Sequence, residues 1–191
     1  MTDAALQLHP DRLLPAEPTT RGIARRLYAE VRDLPIISPH GHVPPDWIAD
    51  DVPFGDPTSL LISPDHYVNR LLHANGVPLE TLGAGGTAPS DGPREAWRAL
   101  CTHWDAFRGT PSRFWLESEL ADIFGVTVRP SAATADTIYD QVAETMRRPD
   151  FRPRALLQRF GIEVLATTDD PCDDLAHHAA MKPLLHLVEL G

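Results

Sequence analysis

The sequence has few cysteines, a shortage of basic residues and no long apolar run, and each shortage excludes a class of protein. Its two cysteines, Cys101 and Cys172, match no disulfide framework or metal-binding spacing, so we expect reduced thiols and a cytoplasmic location. A formal net charge of −10 argues against nucleic-acid binding, which needs a basic face. No segment reaches the ~18 apolar residues of a membrane helix. The first thirty residues contain no apolar signal core. We therefore expect neither a membrane partner nor a secretory signal.

What the chain does contain indicates a globular protein with many short elements. Its 191 residues are 42% hydrophobic and 23% charged, which is typical of a folded domain with a real core. Its 19 prolines are spread along the chain rather than gathered in one tract, so they punctuate elements and ordered loops.

A histidine pair follows the first apolar segment. The β-branched residues Ile36-Ile37 lead into His40-Gly41-His42, and prolines then stop regular structure. Residues two apart on a strand point to the same face, so the two imidazoles would lie side by side. Such a pair could form half of a metal site, although by spacing alone two histidines around a glycine are more often ordinary loop residues than ligands.

Helical patterns occupy most of the chain between two apolar strands. Apolar residues spaced by four predict a helix from Thr20, and Ser63-Pro64 reads as an N-cap and first residue of a helix over 64–75. A strong helix is predicted over 93–107, with an apolar stripe on one face. The stripe consists of Ala96, Trp97, Leu100, Trp104 and Phe107, and we predict that Trp115 is a packing residue as well.

A second buried strand is predicted over 162–168. Asp169-Asp170-Pro171 follows it, and these carboxylates either line a site or cap the next helix, which we favour. Two strands that each end in polar residues indicate an α/β sheet or barrel with its catalytic edge at those ends. Because two strands cannot form such a sheet alone, either the helical interlude is the core or the chain is incomplete.

Several motifs in order resemble one enzyme family. They are Pro-His-Gly-His-Val-Pro-Pro (39–45), Asp-His-Tyr (65–67) with Arg70, Asn-Gly-Val (75–77), Phe-Gly-Val (124–126), and Thr-Thr-Asp-Asp-Pro (167–171) followed by His177-His178. Together they resemble the N-terminal part of glucuronate (uronate) isomerase, in the amidohydrolase superfamily. The chain departs from the family pattern at Val68-Asn69, His73 and Glu117, and the likeness stops after His178.

The resemblance implies an α/β fold: the N-terminal portion of a (β/α)8 metal-dependent-hydrolase-like barrel with a large helical insertion after the first strand. Residues 1–44 would hold the first helix and first barrel strand, residues 45–160 the insertion, and residues 161–191 the second strand and the following helix. The barrel is then incomplete, because such barrels need about 250 residues. The substrate-binding arginine and the late-barrel aspartate of the family would lie beyond this sequence. Exposed sheet edges on such a chain favour self-association or a homo-oligomer.

The resemblance also implies an activity and a site. Family members interconvert D-glucuronate with D-fructuronate, and D-galacturonate with D-tagaturonate, in hexuronate catabolism, and they bind a divalent metal, often zinc. His40 and His42 fall on the metal ligands, while His66 and Tyr67 fall on catalytic and substrate-binding residues. Arg70 would pair with the uronate carboxylate or brace its helix. The alternatives are another metal-dependent hydrolase of the same superfamily, which would use the pair to activate water, and a truncated remnant without catalysis.

Overall fold

The structure, a computed structural model, describes residues 5–181. The α-helices in chain order are α1 (Pro18–Val31), α2 (Pro45–Asp50), α3 (Pro57–Leu61), α4 (His66–Ala74), α5 (Leu79–Leu82), α6 (Pro93–Thr102), α7 (Pro111–Ser118), α8 (Ala135–Met146), α9 (Pro153–Arg159) and α10 (Ala176–Met181). The strands are β1 (Ile36–Ser38) and β2 (Ile162–Leu165). Tighter 3₁₀ turns lie at Trp104–Phe107 and Pro149–Phe151, and a wider π-helical turn lies at Glu119–Ile123.

Proline opens many of these helices. Pro18, Pro57 and Pro93 stand in the first turn of α1, α3 and α6, where a residue without an N–H loses no helical hydrogen bond. The spread of prolines along the sequence therefore marks helix starts.

The chain divides into two compact units. Residues 5–10 and 54–147 form one of them, here called the helical unit, and residues 11–53 and 148–181 form the other, here called the sheet unit. The division of the sequence at 44/45 and 160/161 stays a prediction.

The core of the helical unit is built around α6 and α8. Every residue of the predicted stripe on α6 and the turn after it is buried, which confirms that prediction. The helix itself ends at Thr102, and the last part of the stripe lies on the 3₁₀ turn. The Trp97 indole N–H donates to the Ala135 carbonyl at 3.0 Å, so this large core side chain also satisfies its polar atom.

In the sheet unit, β1 and β2 pair in parallel. Ile37 lies opposite Val164 and Ser38 opposite Leu165, and the Ala166 N–H extends the ladder by donating to the Ser38 carbonyl at 2.9 Å. The parallel pairing brings the carboxyl ends of both strands to one edge. Helix α2 is held at its end by the Arg154 guanidinium, which donates to the Ile48 carbonyl at 2.8 Å and to the Ala49 carbonyl at 2.5 Å.

One prediction of local structure needs correction. Ser63 is not the N-cap of α4, because its hydroxyl donates to the Leu82 carbonyl at 2.8 Å and the Asp65 carboxylate accepts from the Tyr67 and Val68 N–H groups instead. Helix α1 forms as predicted, yet none of its residues is buried. Its apolar positions, such as Leu27 at 65% exposure, remain open to solvent within the described chain. Self-association stays a prediction.

Within residues 5–181, no helix combines the length and the apolar character needed to cross a membrane.

Candidate active site

The histidine pair lies just beyond the carboxyl end of β1. The Nε2 atoms of His40 and His42 are 3.1 Å apart, and the two rings meet edge to face with an interplanar angle of 87°. Both side chains are exposed. The sequence prediction that the two imidazoles converge is therefore met by the geometry, although their metal-binding role stays a prediction.

The separation of the two nitrogens fits a shared cation. Two ligand nitrogens about 2.0–2.1 Å from one tetrahedral zinc lie about 3.3–3.4 Å apart, close to the distance seen here. The same distance also suits an N–H···N hydrogen bond between neutral rings. Within residues 5–181, no group of three or more histidine, cysteine or acidic side chains is placed to hold a metal. The sheet unit thus brings two imidazole nitrogens together, without a third such group beside them in the described residues.

Gly41 lies between the histidines, where the turn passes close to the end of β2. A Cβ at this position would lie 3.1 Å from the Ala166 carbonyl oxygen and 3.3 Å from a Leu165 methyl group. A side chain at this position would require the Ala166 carbonyl or the histidine turn to shift by a few tenths of an ångström.

Threonines after β2 complete this edge. The Thr168 hydroxyl donates to the Gly41 carbonyl at 2.9 Å and lies 3.5 Å from His40 Nδ1. The Thr167 hydroxyl donates to Asp169 at 2.6 Å and contacts His178 Nε2 at 2.9 Å. Sequence reasoning missed Thr168 as a site residue. The signal that was available is its position three residues beyond the end of a strand that runs parallel to β1.

The acidic residues after β2 do not cap the last helix. Asp169 is engaged with Thr167, and the Asp170 carboxylate accepts from the Cys172 N–H at 2.8 Å. The Ala176 N–H at the start of α10 donates instead to the Asp174 carboxylate at 2.9 Å. The preference for Asp169 and Asp170 as caps was wrong, because the turn through 170–175 places later carboxylates at the helix start.

The second group of candidate residues lies at the start of α4 in the helical unit. His66 and Tyr67 are exposed, with their ring centroids 4.1 Å apart, and Arg70 is exposed one turn later. Asp65 caps the helix and fixes this turn. The prediction that Trp115 is a packing residue was wrong. It is 53% exposed, and its ring meets Tyr67 at 70° with centroids 6.4 Å apart.

A hollow of about 90 Å³ lies beside this aromatic group, lined by Leu60, Leu61, Asp65, Ser112, Trp115, Leu116 and Glu119. Burial raises the pKa of the Glu119 carboxyl, and the negative charge of Asp65 raises it further. Glu119 begins the π-helical turn, a feature that often marks functional positions.

Glu119 should make the stability of the helical unit depend on pH. The pKa of Glu119 is higher in the native chain than in the unfolded chain. As the pH rises above the ordinary glutamate range, the unfolded chain therefore releases the proton first. The free energy of unfolding falls as a result. We expect Glu119→Gln to raise the free energy of unfolding at neutral pH and to leave it nearly unchanged near pH ~3, where the carboxyl is largely protonated in both states. Urea unfolding at several pH values measures this difference. Glu144→Gln, at an exposed position on α8, is the matched control and should keep the wild-type slope. An unchanged slope in Glu119→Gln would contradict the assignment.

Comparisons with known proteins agree on one family. The family model described as glucuronate isomerase matches residues 18–185. The prediction that the likeness stops after His178 was therefore wrong, because the match continues to residue 185. The uronate isomerase of Rhizorhabdus wittichii is 59% identical over 182 residues, which cover 95% of this chain and 38% of that protein. The uronate isomerase of Cutibacterium acnes is 58% identical over 182 residues, with 95% and 39% covered.

Solved structures give the same result. The crystal structure of glucuronate isomerase from Caulobacter crescentus matches with a TM-score of 0.90 at 48% identity, covering 94% of this chain and 38% of that one. Uronate isomerase from Thermotoga maritima matches with a TM-score of 0.82 at 32% identity, covering 94% and 37%. The chain thus spans about two fifths of the length of its relatives and corresponds to their N-terminal part.

Proposed function

Because this chain belongs to the glucuronate isomerase family, we propose that it contributes the metal-binding histidines and an aromatic substrate element to uronate isomerisation. The reaction interconverts D-glucuronate with D-fructuronate, and D-galacturonate with D-tagaturonate. It removes the proton from C2 and returns one to C1 through a cis-enediol, with no external oxidant or reductant. The observation that carries the proposal is the 3.1 Å separation of the two Nε2 atoms at the carboxyl edge of paired parallel strands.

The same family membership supports a proposal for the architecture. We propose that β1 and β2 are the first two strands of a (β/α)8 barrel, with the helical segment inserted between them in sequence. In such barrels, catalytic groups lie at the carboxyl ends of the strands. The histidine pair and Thr168 occupy that position here.

His40 and His42 would hold a divalent cation, with zinc the best match for imidazole ligands. A bound cation supplies polarisation of the substrate carbonyl and orientation of its hydroxyls. The two side chains are exposed and converge already, so they can bind without rearranging the strand.

His66, Tyr67 and Arg70 would act on the substrate. A phenol can give or take a proton or orient a sugar hydroxyl, and its exposure leaves the Tyr67 hydroxyl accessible. The imidazole of His66 stacks beside it and can donate to a hydroxyl. The Arg70 guanidinium suits bidentate binding of the uronate carboxylate.

A chimaera tests the proposal. Residues 18–181 of this chain would replace the matching segment of the Caulobacter crescentus glucuronate isomerase, and conversion of D-glucuronate to D-fructuronate would be followed by NMR. We expect turnover, and we expect Tyr67→Phe to lower kcat/KM by about 10²-fold or more, since acid–base groups contribute ~10²–10⁴-fold.

Tyr28→Phe is the matched control, because Tyr28 is similarly exposed on α1. A folded chimaera without turnover would contradict the function. Equal activity of the Tyr67 and Tyr28 variants would contradict the proposed role of Tyr67 but not the proposed function of the chain.

A further inference from the structure

The Thr168 hydroxyl bridges the ends of the two strands. It lies 2.9 Å from the Gly41 carbonyl oxygen and 3.5 Å from His40 Nδ1, across 127 and 128 positions of sequence. Its oxygen therefore faces both the backbone between the two histidines and the ring of one of them.

The Thr168 hydroxyl can donate its hydrogen to only one of these two partners. A threonine hydroxyl carries one hydrogen and two acceptor lone pairs, while a carbonyl oxygen only accepts. The short contact to Gly41 must therefore use the hydroxyl hydrogen, and the oxygen then presents a lone pair to His40 Nδ1. This second contact is long for a hydrogen bond, and it is favourable only when Nδ1 carries the hydrogen.

A neutral imidazole has one N–H and one bare nitrogen. With hydrogen on Nδ1, the bare nitrogen of His40 is Nε2, the atom that lies 3.1 Å from Nε2 of His42. A cation binds only a bare imidazole nitrogen, so this tautomer is the one that can act as a ligand at the pair.

We propose that Thr168 is a positioning residue that selects the Nδ1–H tautomer of His40 and holds its Nε2 lone pair toward His42. The metal-binding consequence rests on the function proposed above. The tautomer selection stands on the contacts of Thr168, and it agrees with the 3.1 Å contact of the pair when His42 donates from its Nε2–H to the bare Nε2 of His40 in the metal-free chain. Selection of the tautomer requires Thr168 and His40 to keep a fixed relative position, and hydrogen bonds at the carboxyl ends of β1 and β2 hold them there. The ladder hydrogen bond from Ala166 to Ser38 holds the strand ends together, and the Ser38 hydroxyl donates to the His40 carbonyl at 3.1 Å.

Nitrogen-15 NMR of the metal-free chain tests the tautomer directly. Long-range proton–nitrogen correlation distinguishes a bare ring nitrogen from an N–H, and the spectrum of His40→Gln assigns the His40 signals. Spectra would be recorded near pH ~8.5, where an ordinary imidazole is neutral. Thr168→Val removes the hydroxyl at nearly constant shape, and Thr168→Ser keeps it.

We expect His40 to be the Nδ1–H tautomer in the wild type and in Thr168→Ser, and to shift toward Nε2–H in Thr168→Val. The same tautomer in all three proteins would overturn the inference. The valine variant changes an exposed side chain, so it should fold, and the serine variant controls for packing.

Zinc titration of the same proteins tests the consequence. Partners of a metal ligand typically change affinity by ~10–100-fold, so we expect about that loss in Thr168→Val and little change in Thr168→Ser. Equal zinc affinity in all three proteins would overturn the positioning role. A tautomer shift in Thr168→Val with zinc binding in none of the three would support the selection by Thr168 and contradict the proposed metal site.

Discussion

Replacing Trp97 with alanine is expected to lower the free energy of unfolding of the helical unit by about 3–5 kcal/mol. The indole is 1% exposed at the centre of the packing between α6 and α8, and its ring meets Tyr139 edge to face with centroids 5.9 Å apart. Alanine would leave a cavity that rigid helices fill only in part. It would also remove the N–H that donates to the Ala135 carbonyl.

Trp115→Ala is the matched control for this substitution. It deletes the same ring from a position that is 53% exposed, so we expect a change of about 0.5 kcal/mol, as at other surface sites. Urea unfolding followed by far-ultraviolet circular dichroism measures both values. Similar losses in the two variants would contradict the placement of the core on the α6 stripe.

The α6 stripe shows what periodicity can predict. Burial of Trp97 and Leu100 follows from helical spacing alone, because that spacing puts them on one face wherever the helix packs. Periodicity does not say whether a neighbour is present. Leu27 on α1 has the same spacing with its neighbours and is exposed, since nothing in the described chain covers that face.

Local capping was predicted less well, for a chemical reason. The sequence predicted Ser63 as the N-cap of α4, with Pro64 in its first turn. In the structure the Asp65 carboxylate accepts hydrogen bonds from two backbone N–H groups. The Ser63 hydroxyl instead donates to a carbonyl 19 residues away. Choosing between neighbouring caps requires that distant partner to be known.

The candidate site likewise has one feature that the sequence predicted and one that it did not. The convergence of His40 and His42 was predicted from strand alternation and is observed, but β1 ends at Ser38 and the pair lies in the irregular segment after it. The contact of Thr168 with Gly41 depends on the register of two strands separated by more than 120 residues. Parallel pairing could be inferred from the strand order, but the register decides which of Thr167 and Thr168 reaches the histidine turn.

His40→Gln and His42→Gln are each expected to weaken zinc binding by about 100-fold or more. Loss of a partner that only orients a ligand costs ~10–100-fold, and loss of the ligand itself should cost at least the upper end of that range. Glutamine keeps much of the size and polarity of histidine but offers no imidazole nitrogen to the cation. Isothermal titration of the metal-free chain with zinc, with a competing chelator for tight binding, measures the change.

His177→Gln is the matched control, because His177 is exposed on α10 and lies outside the pair. Its zinc affinity should equal that of the wild type. An effect of His177→Gln as large as that of the pair would mean that zinc binds surface histidines without selection. If His40→Gln and His42→Gln both lose zinc binding while His177→Gln keeps it, the converging Nε2 atoms are the zinc site. The two variants should then be nearly equal to each other, because a cation held by two nitrogens loses the same half of its protein ligands in either one.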